Sequence, residues 1–176
     1  MLGAAGAVCS LAAGTAIGHY LRIRRMTRLN YLQSSLDILN AMRLLLETEH
    51  LALPDLLESC AGHAGSGTGA EGMASRLKWT AQRLRQEPLE GIASAYQLAC
   101  SQCPCPWERE EEKAALDSLF AQLGAGTAAM KAETCAACIR RLKPVRETAQ
   151  VEAEKGGRLC MHLGMLLGLM AGIALW

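Results

Sequence analysis

The sequence predicts an all-α protein: a membrane-anchored helical bundle with a terminal transmembrane helix at each end. Three observations point there. Aromatic residues make up only 4% of the 176 residues, with a single Phe120, while Ala, Leu, Glu, Arg and Gln abound. Such a composition favours helices over strands. Apolar residues recur at three- and four-residue spacing through the middle of the chain. Finally, Met1–Tyr20 and Leu159–Trp176 contain no formally charged side chain, and in the second run only His162 could acquire charge. At 1.5 Å per residue these runs reach ~27–30 Å, just enough for the hydrocarbon core of a bilayer. The length is that of one domain, and the net charge of +1 gives no electrostatic case for nucleic acid.

The first run, residues 1–20, competes with a cleaved secretory signal or a buried core helix. A secretory signal places its positive charges before the apolar stretch. Here Arg22, Arg24, Arg25 and Arg28 all follow it, so an uncleaved span is expected. By the positive-inside rule the residues after it are cytoplasmic. Lys155 and Arg158, just before the second run, agree. The expected organisation is therefore a span at 1–20, a cytoplasmic helical domain at 21–158 and a span at 159–176, with both termini outside.

Leu29, Leu32, Leu36, Leu39, Met42 and Leu46 form one apolar stripe on a long helix from about Ile23 to Thr48. Pro54 suits the first turn of the next helix, which carries Leu56, Leu57 and Cys60. Ala61–Gly69 is too rich in glycine to stay helical and reads as the main loop. A third helix is expected from Ala70 to Gln86, with Met73, Leu77 and Leu84 inward. Pro88 is expected to open a fourth through Leu89, Ile92, Tyr96 and Ala99. Cys103-Pro104-Cys105-Pro106 cannot lie inside a helix. Glu108, Glu110, Glu111 and Glu112 then read as a solvated helix start favoured by the dipole. Leu116, Leu119, Phe120 and Leu123 face the core, and Gly124 ends the helix. The last helix begins near Thr127 and runs toward the second span, with Pro144 as its one obstacle.

The candidate chemistry is thin. Cys100-x2-Cys103 and Cys135-x2-Cys138 are two pairs of a kind that can hold zinc, and they support an alternative reading as a membrane-tethered thiol or zinc-binding sensor. Against it, the second pair falls in a helix and 31 residues separate the pairs. Reduced thiols acting as small core hydrophobes are the simpler reading. His19, His50, His63 and His162 are scattered, and no nucleophile elbow, phosphate loop or His-x3-His pair occurs. No enzyme, metal or cofactor is expected. Gly164, Gly168 and Gly172 sit four residues apart, a stripe that lets another backbone pack closely in a membrane. Gly6, Ser10, Gly14 and Gly18 share that spacing among residues that are mostly small. For a soluble partner, the polar residues Glu47 and Glu49 and the basic cluster Arg140, Arg141 and Lys143 are the candidate faces.

The order of motifs resembles the stage III sporulation protein AB family of endospore-forming bacteria. The clearest part is Ala149-Gln150-Val151-Glu152-Ala153-Glu154-Lys155, followed by Arg158-Leu159 and Leu163-Gly164-Met165-Leu166-Leu167-Gly168-Leu169. These residues are similar to a charged A-x-x-E-x-x-K helix entering a final span of L-G-x-L-x-G-L type. Leu116–Gly124 matches a stretch ending in F-x-x-L-G, and Leu46-Glu47-Thr48-Glu49 with Leu53-Pro54-Asp55-Leu56-Leu57 is a third match. Thr127, Met130, Pro144 and the C-P-C-P loop depart from the family pattern. The resemblance implies a membrane component of the channel between mother cell and forespore. It implies a fold like the helical domain of type II secretion platform proteins, and partners that include a cytoplasmic assembly ATPase, the stage III sporulation protein AA, and other channel subunits. Self-association into a homo-oligomer fits the same picture.

Overall fold

The structure is a computed structural model that describes the backbone of residues 2–49, 51–65, 67 and 69–174, and the side chains of residues 15–49, 51–65, 67 and 69–154. It is all-α, with six helices and no strand among the described residues. They are α1 (Leu2–Thr48), α2 (Leu53–Ala61), α3 (Ala70–Gln86), α4 (Ile92–Gln102), α5 (Glu110–Leu123) and α6 (Ala128–Ala174). Among the described residues no helix is long and apolar enough to cross a membrane. The expected spans at 1–20 and 159–176 lie outside the described side chains, apart from Thr15–Tyr20, and so does the stripe of Gly164, Gly168 and Gly172.

The chain divides into two compact units, Thr27–Glu147 and the paired terminal segments Met1–Met26 with Thr148–Trp176. In the terminal unit the buried described residues are small: Gly18 of α1, and Ala149 and Ala153 one turn apart on α6. Small side chains are what a close approach of helix backbones requires.

In the central unit the apolar stripe of α1 is buried from Leu32 through Leu36, Leu39, Met42 and Leu46, and Tyr31 and Ile38 join it. Leu56 and Leu57 of α2, Met73 and Leu77 of α3, and Leu116 and Phe120 of α5 are buried in the same unit. Each such side chain contributes about 1.5–3 kcal/mol of burial. Packing is sequential, α2 on α3, α3 on α4 and α4 on α5. At the last of these contacts the Tyr96 and Phe120 rings stack with centroids 3.7 Å apart.

One boundary differs from expectation. Pro88 does not open α4. Residues 87–91 form a turn closed by the Glu90 N–H on the Glu87 carbonyl (3.0 Å), and Arg83 of α3 holds the Glu90 carboxylate at 2.8 Å. Leu89 is thereby turned fully to solvent. At Pro144, which the sequence leaves as an obstacle, α6 is not broken and runs through it. Arg140 and Pro144 are both exposed, so water can take the carbonyl that the proline leaves without a backbone donor. Elsewhere the helices start and stop where glycine and proline dictate. Gly69, at the start of α3, lies so close to α1 that a Cβ there would sit 2.2 Å from the Thr27 carbonyl oxygen and 2.8 Å from the Tyr31 nitrogen.

Candidate functional site

The interior of the central unit holds charge. Arg28 occurs one turn before Leu32, in phase with the buried stripe of α1, and Glu112 lies in the first turn of α5. The Arg28 guanidinium donates from Nε (3.0 Å) and Nη2 (2.5 Å) to Glu112 Oε1. The other carboxylate oxygen of Glu112 accepts the Arg109 N–H at 3.1 Å and so caps α5. The Glu112 side chain is 1% exposed.

A second pair lies in the same core. Arg76 of α3 stands in phase with Met73, Leu77 and Thr80, all buried. Its Nη1 is 2.8 Å from Glu108 Oε2, and its Nε donates to the Cys103 carbonyl at 3.0 Å. Tyr31 donates its hydroxyl to Glu108 at 2.5 Å and accepts from Arg76 at 3.3 Å. Burial opposes the Arg76 charge, yet the surrounding Tyr31, Tyr96 and Glu108 oxygens outweigh it and its pKa is raised. Burial pushes the Tyr31 hydroxyl well above the usual phenol range, with Tyr96 and Glu108 adding to the effect. This network pins the Cys103–Arg109 linker onto α3 and α1. The linker seats closely, because a Cβ at Gly72 would fall 2.7 Å from Cys105 Sγ.

The acidic cluster is therefore not the solvated helix start that spacing suggests. Glu110 and Glu111 are exposed, but Glu108 and Glu112 are buried and paired. Likewise Arg28 leaves the basic group that follows the first apolar run and turns into the core. Spacing alone missed Arg76 altogether. The available signal was phase: Arg28, Arg76 and Glu112 each recur on the apolar face of their own helix.

The expected partner residues Glu47, Glu49, Arg140, Arg141 and Lys143 are all exposed. Glu47 accepts from Arg43 at 3.0 Å, and Arg140 donates to Glu133 at 2.8 Å. The Glu133 carboxyl is held below the usual range by its Arg140 hydrogen bond first, and Arg43 contributes. The surface thus carries two exposed ion pairs, Arg43–Glu47 on α1 and Arg140–Glu133 on α6. Such exposed pairs add little stability. They display charge on a fixed framework.

The thiols fall into two groups rather than one. Cys105 interacts with Cys100 and Cys103 around Arg76 and Glu108, whereas Cys135 interacts with Cys138 and Cys60. Burial pushes Cys60 and Cys135 up to about 12, and Cys105 and Cys138 up to about 11. Cys138 spends its S–H on the Ala115 carbonyl at 3.7 Å. Among the described residues no group of three or more His, Cys, Asp or Glu could hold a metal ion, so the four thiols of the zinc reading are not assembled.

No curated protein and no solved structure matches this chain. A family model does, and its match runs over residues 3–176. The family description, stage III sporulation protein AB, names a sporulation role and no enzymatic activity. The chain belongs to the stage III sporulation protein AB family.

Proposed function

We propose that this protein is a non-enzymatic membrane component of the mother cell–forespore channel, an assembly platform that docks a cytoplasmic ATPase and other channel subunits. The carrying observation is the pair of exposed ion pairs Arg43–Glu47 on α1 and Arg140–Glu133 on α6, presented outward by a core that is itself keyed by buried ion pairs. A rigid element that presents charge, with its thiols protonated and buried, suits docking better than catalysis. In this reading residues 1–20 and 159–176 are membrane helices and 21–158 is the cytoplasmic platform in the mother-cell membrane. Gly164, Gly168 and Gly172 pack the second helix against a neighbour. Glu47, Glu49, Arg140, Arg141 and Lys143 meet the ATPase, for which the stage III sporulation protein AA is the candidate.

Crosslinking and co-purification from sporulating cells test the proposal. The ATPase should be recovered with the wild-type chain and lost with the combined charge reversal R140E/R141E/K143E, while helical content stays unchanged. If no ATPase is recovered with the wild-type chain, the platform mechanism is wrong even though the family assignment stands.

A further inference from the structure

The segment of α1 where the first apolar run ends exposes a mixed apolar and cationic surface. Ile17, Tyr20, Ile23 and Met26 are exposed, at 62%, 64%, 51% and 44%. Arg22 and Arg24 are exposed between them, and Arg25 is half-buried. At 100° per residue, steps of three turn the apolar groups back by ~60° each, so the four sweep about 180° of the helix circumference. A partner helix would need one narrow stripe. A surface that is apolar, aromatic and cationic around much of its girth instead fits the interfacial zone of a bilayer, where amphipathic side chains reach from apolar stem to polar headgroup. Tyr20 to Arg25 rises ~7–8 Å, comparable to one headgroup layer.

The sign of the charge narrows the partner. No carboxylate side chain precedes Asp37 in the sequence. Arg28 is consumed by Glu112, which leaves Arg22, Arg24 and Arg25 as the cations of this segment. We infer that Arg22, Arg24 and Arg25, set among Tyr20, Ile23 and Met26, form a binding surface for anionic phospholipid headgroups of the bilayer. The inference rests on the proposed membrane location of the chain. Basic residues near an anionic leaflet strengthen association by about fivefold each, so three give on the order of 100-fold, somewhat less for the half-buried Arg25.

The full chain, solubilised in a neutral detergent, is titrated with phosphatidylglycerol or phosphatidylcholine, and bound lipid is counted by native mass spectrometry. Carbonate extraction of cell membranes is run in parallel on the same variants. The wild type should bind phosphatidylglycerol tens of times to about 100-fold more tightly than phosphatidylcholine. R22Q/R24Q/R25Q should lose that preference with unchanged circular dichroism and unchanged carbonate resistance, and R22K/R24K/R25K should keep it. Equal binding of both lipids by a carbonate-resistant wild type overturns the lipid inference and leaves the anchor standing; the basic face would then fit an acidic protein. A glutamine variant that retains the preference also overturns it. Release of the wild type by carbonate removes the anchor and the inference together.

Discussion

Removing Glu112 while leaving Arg28 in place is the most direct test of how this core is built. Glu112→Leu keeps the volume but removes the carboxylate that faces the Arg28 guanidinium, whose side chain is 11% exposed beside a carboxylate that is 1% exposed. Breaking one partner of a buried pair costs about 3–5 kcal/mol. The partial exposure of Arg28 places this case near the lower end. Loss of the cap on the Arg109 N–H adds roughly 0.5–1 kcal/mol, for a total of about 4 kcal/mol. Arg28→Met should cost a similar amount for the opposite reason, a buried carboxylate left without its cation. The double variant removes both charges and should lie within about 2 kcal/mol of wild type, which gives a coupling energy of roughly 6 kcal/mol. Urea unfolding of the full chain in mild detergent reads this out through Trp79 and Trp107, both in the central unit, on a Trp176→Phe background. With a slope of ~2 kcal/mol per molar urea, the single variants should shift the midpoint by about 2 M. A shift below about 0.5 M for Glu112→Leu, or costs that simply add in the double variant, would refute the buried pair as the feature that joins α1 to α5.

Other outcomes follow from the same geometry. Gly69→Ala drives a methyl into the backbone of α1 at Thr27 and Tyr31 and should destabilise by about 3 kcal/mol. Gly91→Ala, whose methyl meets nothing nearer than 3.8 Å at φ −69°, should be neutral or stabilise by about 0.5 kcal/mol in the same urea assay. Cys60 and Cys135 are raised from 9.0 to about 12 in the fold, so their contribution is intact below the ordinary thiol pKa and is lost as pH rises toward the folded value. At ~pH 10 each should reduce stability by about 1.4 kcal/mol, and a flat stability profile between ~pH 8 and ~pH 10 would contradict their burial. Because the four thiols of the two C-x2-C pairs are not assembled, zinc analysis of the reduced chain should find no stoichiometric metal, and Cys100→Ser should leave the metal content unchanged.

The elements of this fold were legible where local chemistry decides them. Gly62–Gly69 cannot propagate a helix and Pro104 and Pro106 cannot sit inside one, so the limits of α2, α3 and α4 near these residues follow from composition. The stripe from Leu32 to Leu46 is buried as its period requires. What failed was anything that depends on a partner distant in sequence. Pro88 is chemically suited to a helix start, but Arg83 captures Glu90 and turns the segment outward. Glu108 and Glu112 look like any acidic helix start until Arg76 and Arg28, 32 and 84 residues away, are brought to them by the fold. The exposed faces behave differently. Glu47 and Arg140 can be picked as candidates from sequence, and their ion partners Arg43 and Glu133 lie four and seven residues away on the same helices.

These failures share a cause that bears on the docking role. A core made mostly of Leu, Ala and Met, with one Phe in the whole chain, has few side chains whose shape dictates a single register. Neighbouring ridges of Leu would tolerate a slip of one helical turn, ~5.4 Å, with modest loss of contact. The Arg28–Glu112 and Arg76–Glu108–Tyr31 groups do not tolerate it, since such a shift breaks contacts of about 3 Å and leaves up to four buried charges unpaired at several kcal/mol each. Their net gift to stability is small, because desolvation consumes most of the attraction. Their effect is to make one arrangement of α1, α3 and α5 far better than its neighbours. The proposed recognition of partners through charges on α1 and α6 would need that uniqueness more than extra stability. Displacing α1 by a turn would shift the Arg43–Glu47 pair by ~5.4 Å relative to the rest of the central unit and change the surface pattern on which the proposed docking depends.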